Sequence, residues 1–96
     1  MPRGILFHGR SRDCYIRTGE AALIVSELRK AAFEPGPVTA AADAISDGFV
    51  TGEVAPFPDD QAAALQAVLL RLATVQPESE AVTTLHDALA LDYGEL

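Results

Sequence analysis

Apolar residues between Asp59 and Gln76 recur at the spacing of a helix face. Leu65, Val68, Leu69, Leu72 and Val75 follow one another at steps of three or four. Ala62, Ala63, Ala64 and Ala67 widen that surface, and Leu70 falls on the far side. A helix apolar around most of its circumference is normally enclosed by other elements. Residues 60–75 are therefore expected to form the central post of the fold.

Upstream, the pattern has a period of two. The run Gly4 to Gly9, GILFHG, and the run Cys14 to Arg17, CYIR, are short, apolar or β-branched, and separated by a polar connection. They predict a β-hairpin over residues 4–17. Alternation puts Cys14 and Ile16 on one face and Tyr15 and Arg17 on the other. A lone hairpin is marginal in water, so it must lie on helices or meet another strand. Part of Phe49 to Phe57 supplies a candidate third strand at a sheet edge, because Pro56 has no N–H to give to a ladder.

Three more helices are expected. The first, over 19–33, has Thr18 as its N-cap and Glu20 in its first turn. Its buried stripe is Ala21, Ile24, Val25, Leu28, Ala31 and Ala32, with Leu23 partly exposed beside Glu27 and Lys30. The run Glu34-Pro35-Gly36-Pro37 ends it. The second, over 38–47, carries Val38, Ala41, Ala42 and Ile45 inward and closes with Gly48 in a left-handed C-cap. Asp59 is expected to cap the 60–75 helix. Pro77 is expected to open the last one, over 78–91, with Val82, Leu85, Ala88 and Leu89 inward. An extended piece followed by an Ala/Leu helix occurs at Cys14–Ala32 and again at Glu53–Ala73, suggesting two strand–helix units on one core. The expected class is α+β: an N-terminal hairpin with a third short strand, packed on four helices. The alternative is an all-α chain with an extended N-terminal arm.

Composition narrows the setting. Ninety-six residues, 49% hydrophobic and 22% charged, suit one ordered domain spanning 1–96 rather than a disordered chain. No apolar run approaches the ~18 residues of a membrane span, and Ile5–Phe7 is too short for a secretory signal. The single cysteine, Cys14, rules out an internal disulfide and suits a reducing cytoplasm. One lysine against six arginines, with seventeen alanines, fits a GC-rich bacterial genome.

The net charge of −7 is placed unevenly. Residues 1–33 hold six basic and three acidic side chains; residues 34–96 hold Arg71 against eleven carboxylates. Such a division is able to steer a partner or a second copy of the chain.

Candidate chemistry is sparse. His8 and Cys14 flank the hairpin connection, and a histidine facing a thiol activates it as a nucleophile. No third group or anion hole accompanies them. The spacings of His8, His86 and Cys14 match no metal-binding motif, and the glycines match no phosphate loop. Arg10 and Arg12, with Arg3, Arg17, Phe7 and Tyr15 nearby, describe a ribbon suited to a nucleic-acid backbone or to stacked bases. The series Asp43, Asp47, Glu53, Asp59, Asp60, Glu78, Glu80, Asp87, Asp92 and Glu95 describes an anionic face of the kind that inhibitors use to imitate nucleic acid.

The favoured expectation is a non-enzymatic regulatory or accessory protein working through protein–protein contact, as a homodimer or as an acidic inhibitor-type binder. Its contact residues would be Arg10, Arg12, Arg17, Tyr15, Leu23 and Leu70. Leu23, Leu70 and Leu91 are apolar positions that the helical wheels leave short of cover. Nucleic-acid binding through the arginine-bearing hairpin is the alternative, and a small Cys14-dependent enzyme the second. No catalytic, metal or cofactor residue is assigned.

Overall fold

The computed structural model describes residues 3–32 and 36–94. Two antiparallel strands, β1 (Gly4–His8) and β2 (Asp13–Arg17), form the expected hairpin. Helices α1 (Thr18–Ala31) and α2 (Pro37–Thr51) follow, then a two-residue strand β3 (Glu53–Val54), then α3 (Asp59–Val75) and α4 (Glu80–Tyr93). β3 lies parallel to β1, giving a mixed sheet of order β2-β1-β3. The chain is α+β, not all-α.

Alternation sorts the strands as the pattern requires. Ile5, Phe7, Cys14, Ile16 and Val54 are buried, whereas Asp13, Tyr15 and Arg17 are exposed. α1 places Ala21, Ile24, Val25 and Leu28 in the core and touches β1, β2 and all three other helices. α1 is thus the pivot of the fold.

α3 plays a lesser part than its composition implies. It packs on α1, α2 and α4, and its backbone keeps clear of the strands. Ala62, Leu65, Gln66, Val68, Leu69 and Leu72 are buried, while Ala67, Leu70, Arg71 and Thr74 are exposed. Val75, expected inside, is 70% exposed. Each residue turns the helix by ~100°, so Val75 has drifted to the margin of the stripe by the last turn. Gln66 is buried because its Nε2 donates to the Gly94 carbonyl at 3.2 Å.

Several helix ends differ from the sequence expectation. The N-cap of α1 is Arg17, with Thr18 already helical, and the helix ends at Ala31. Phe33, Glu34 and Pro35, expected to end it, lie outside the described residues, as does Glu95. Pro58, not Asp59, precedes α3, and Asp59 and Asp60 occupy its first turn. Pro77 sits in the turn before α4 rather than inside it. Ser79 is the cap there, its hydroxyl accepting from the Val82 N–H at 3.4 Å. Gly94 ends α4 with φ of 74°.

Gly48 does not end α2. The helix runs on to Thr51, and Gly52 takes the left-handed C-cap with φ of 83°. Gly48 serves a close approach instead. A Cβ there would lie 2.7 Å from Val54 Cγ2, 3.1 Å from Ile5 Cγ2 and 3.3 Å from the Glu53 carbonyl oxygen. The missing side chain lets α2 press against β1 and β3. Of the stretch Phe49 to Phe57, expected in part as extended, Phe49, Val50 and Thr51 are helical and Glu53–Val54 pairs as the strand.

Helix propensity alone makes Gly48→Ala stabilising by up to ~1 kcal/mol. Overpacking of a tight contact costs ~1–3 kcal/mol, and the stiff Val54 and Ile5 side chains have little room to yield. Gly48→Ala is expected to lower the melting temperature by about 4–8 °C, the equivalent of a net loss of ~1 kcal/mol. Thermal denaturation followed by circular dichroism checks the sign.

Candidate functional site

The hairpin connection, where sequence reasoning placed a cationic tip, is fastened to the rest of the molecule. Asp92, on the last turn of α4, reaches into it and is only 2% exposed at its side chain. Its carboxylate accepts from the Ser11 hydroxyl, from the Ser11 N–H at 3.4 Å and from Arg12 Nε at 3.3 Å. The Ser11 hydroxyl contributes most to holding the Asp92 carboxyl below its ordinary range. Burial opposes it, and the Ser11 N–H, Arg12 and the Arg10 N–H add to it. Gly9 makes this approach feasible: a Cβ at that position would overlap Asp92 Oδ2 and the Arg12 carbonyl oxygen.

Arg10 is held beside this clamp. Its guanidinium pairs with Asp59 on the first turn of α3 and lies 4.2 Å from the centre of the Tyr93 ring. The Tyr93 hydroxyl donates to the Phe57 carbonyl at 2.8 Å, and burial pushes its pKa up. The Phe57 ring faces Phe7 at 6.4 Å between centroids. One corner thus joins the hairpin connection, the entry to α3 and the end of α4. Arg10 and Arg12, both expected to meet a partner, pair within the chain, although each remains about half exposed.

His8 and Cys14 do not face each other. The register sets His8 opposite Asp13 and Phe7 opposite Cys14. His8 lies on the outer face, with Nδ1 3.2 Å from Asp13 Oδ1 and Nε2 3.3 Å from Glu53 Oε1. Its pKa is raised, first by the hydrogen bond to Glu53 and further by Asp13, against a smaller loss from desolvation. Protonated His8 can donate from both ring nitrogens, tying β2 and β3 together across β1. Cys14 points inward, and burial raises its pKa, which favours the unreactive thiol. The cavity beside it, about 20 Å³, has room for roughly one water. Among the described residues no group of three or more His, Cys, Asp or Glu is placed to hold a metal ion. His86 pairs loosely with its neighbour Asp87 at 3.8 Å.

Of the remaining candidates, Tyr15 and Arg17 stay together on the outer face of β2. The Tyr15 ring lies across Gly4 so closely that no Cβ fits there, yet Tyr15 is 61% exposed. Beside them runs an open groove of about 600 Å³ between β2 and the start of α4, with Glu20, Glu78 and Glu80 also lining it. Leu70 is 62% exposed, but on α3, which lies away from the sheet. Leu23 is half-buried on α1, and Leu91 is exposed on α4. The six proposed contact residues therefore do not form one surface. Asp92, Ser11, Tyr93 and Phe57 had no local signal in the sequence, because their partners lie 36 to 81 positions away.

Among known proteins, no family model, no curated sequence and no solved structure matches this chain.

Two expected outcomes follow from the geometry. Asp92→Ala lowers the melting temperature by several degrees at neutral pH. Because the folded-state pKa of Asp92 is depressed, its contribution is complete above the unfolded value and fades as pH falls through the folded one. The gap between wild type and variant therefore narrows below about pH 4. His8 has the opposite sign. Its raised pKa makes its contribution complete below about pH 6.5 and lost as pH rises through the folded value. The melting-temperature advantage of wild type over His8→Gln is therefore present near pH 5.5 and reduced near pH 8.5; equal gaps at both would contradict the assignment.

Proposed function

We propose that this chain is a non-enzymatic contact protein that works by binding another polypeptide through the β2 side of its sheet. The observation that carries this reading is the uncovered pair Tyr15 and Arg17 beside the groove along β2. Tyrosine and arginine are the side chains that most often dominate binding energy at protein interfaces. The groove mixes an aromatic ring, a cation and three carboxylates, a combination that suits a peptide backbone and its side chains.

Three observations weigh against the rival readings. The nucleophile candidate is buried and its pKa is raised. The arginines of the connection are paired with Asp59 and Asp92, which reduces the free positive charge available to a phosphate backbone. The carboxylates expected to form one anionic face are divided between first turns of helices, internal pairs and separate surfaces.

The test is affinity capture from the native cell with three baits. Wild type and Leu70→Ser, whose change lies on α3, are expected to retain the same partner. Tyr15→Glu combined with Arg17→Glu is expected to reduce its recovery about tenfold, the scale of losing one interface hot spot. Equal recovery by all three baits overturns the reading, as does a gel shift with single-stranded nucleic acid that steepens with falling salt and needs Arg10 and Arg12.

A further inference from the structure

The hydrogen-bond parity of the hairpin determines which backbone groups of β2 lack partners. Thr18 N donates to the Arg3 carbonyl at 3.0 Å, and Gly9 N to the Arg12 carbonyl at 2.8 Å. These two bonds bracket the hairpin and fix the alternation between them. Ile5 with Ile16 and Phe7 with Cys14 are then the pairs that exchange ladder bonds. Gly4 with Arg17, Leu6 with Tyr15 and His8 with Asp13 are the pairs that do not. On the β1 side, Leu6 N turns away from β2 and donates to the Gly52 carbonyl at 2.9 Å. On the β2 side, the N–H and C=O groups of Asp13, Tyr15 and Arg17 point off the sheet. The Arg17 carbonyl, as N-cap of α1, already accepts the first bond of that helix; among the described residues no turn, loop or cap hydrogen bond engages the remaining groups.

Side chains leave this edge open. The Tyr15 ring leans back over Gly4 toward β1, away from the edge. Along the edge runs the groove lined by Tyr15, Arg17, Glu20, Glu80 and Thr84. An exposed edge of this kind is a template for one more strand.

We infer that the strand added here is β2 of a second copy, paired antiparallel about a two-fold axis at Tyr15. The inference rests on the proposed contact role of this face and names its occupant. The argument is charge complementarity. In the register centred on Tyr15, Asp13 of each copy falls opposite Arg17 of the other, on the same outer face. The same register pairs the outward N–H groups of Asp13, Tyr15 and Arg17 and the carbonyls of Asp13 and Tyr15, and gives the Arg17 carbonyl, already bonded in the first turn of α1, a second donor. It joins two three-stranded sheets into one of six strands. A register shifted by two residues loses the Asp13–Arg17 match. Arg17 itself has no ion pair among the described residues.

The test is sedimentation equilibrium on wild type, Arg17→Asp, Asp13→Arg and an equimolar mixture of the two variants. Circular dichroism first establishes that each is folded. Wild type is expected at twice the 10.1 kDa chain mass at micromolar to submillimolar concentration. Each variant alone sets like charges opposite each other across the axis and is expected to weaken dimerisation about tenfold or more. The mixture restores opposite charges at both positions and is expected to recover the dimer as a heterodimer. If Asp13→Arg does not fold because it loses His8, Arg17→Asp against wild type still decides the question. Wild type monomeric throughout this range overturns the inference, as does a dimer indifferent to Arg17→Asp. In either case, Tyr15-dependent capture of a different protein would leave the contact reading standing, and its absence would remove both.

Discussion

The sheet of this protein is covered by helices on one side only, and most of the molecule follows from that. Each strand of the hairpin alternates strictly. One parity sends Ile5, Phe7, Cys14 and Ile16 under α1 and α4, and the other sends His8, Asp13, Tyr15 and Arg17 outward. A slip of one residue in the pairing would exchange the two sets, burying charge and exposing the core. Burial of the inner set therefore specifies the register strongly. The same parity separates packing from chemistry. Cys14, the ionisable group on the inner face of the hairpin, has a raised pKa that keeps it neutral, while the charged side chains of the strands lie on the outer face.

The corner around Asp92 then fixes where the sheet sits relative to the helices. Hydrophobic burial is non-directional, so a sheet laid on helices can slide. A buried carboxylate satisfied by Ser11 and Arg12 leaves much less freedom, because displacing it would strand a charge without partners. Arg10, Tyr93, Phe57 and Asp59 extend the same junction to the entry of α3. Together they tie the first turn of the chain to its last helix. Ion pairs elsewhere likewise join the two unequally charged parts of the sequence. The basic first third meets acidic groups of the remainder inside one molecule: Arg10 with Asp59, Arg12 with Asp92, Arg29 with Asp43 and His8 with Glu53. Part of an asymmetry that suggests steering of a partner is thus an intramolecular match between the two parts of the chain.

This explains what was legible in the sequence and what was not. Features set by near neighbours could be read directly. The hairpin, the inward set of β2 and the stripe of α1 all depend on local periodicity and turn chemistry. Gly48 could not be read, because its role depends on Val54 and Ile5, brought against it only by the tertiary fold. A glycine after Asp47 has the local look of a helix end, and close packing overrides that look. The centrality of α3 was misjudged for a related reason. Alanine adds to apolar count without adding much area to bury, so Ala67 can stand in water at little cost. α1, with fewer apolar residues in a row, is the helix that meets both strands of the hairpin and all three other helices. The Asp92 corner has no sequence signature, since a carboxylate at the end of a helix acquires its role only from a loop some eighty residues earlier.

The two edges of the sheet explain why recognition is argued from one side. On the β3 side the strand is two residues long, α2 packs against it, and Pro56 follows it with no N–H to offer. That edge is closed by its own connections. On the β2 side a five-residue strand ends the sheet; α4 packs against it too, but an open groove separates the start of α4 from Tyr15 and Arg17. Natural edges are commonly guarded by like charges or by proline, which make a second strand unwelcome. Asp13 and Arg17 do the reverse, because opposite charges at the two ends of an antiparallel edge are complementary to themselves. With a net charge of −7, two copies repel at long range, but that repulsion is screened beyond about 8 Å at physiological salt. Contact therefore depends on short-range matching along the strand, and short-range matching is the property that this edge displays.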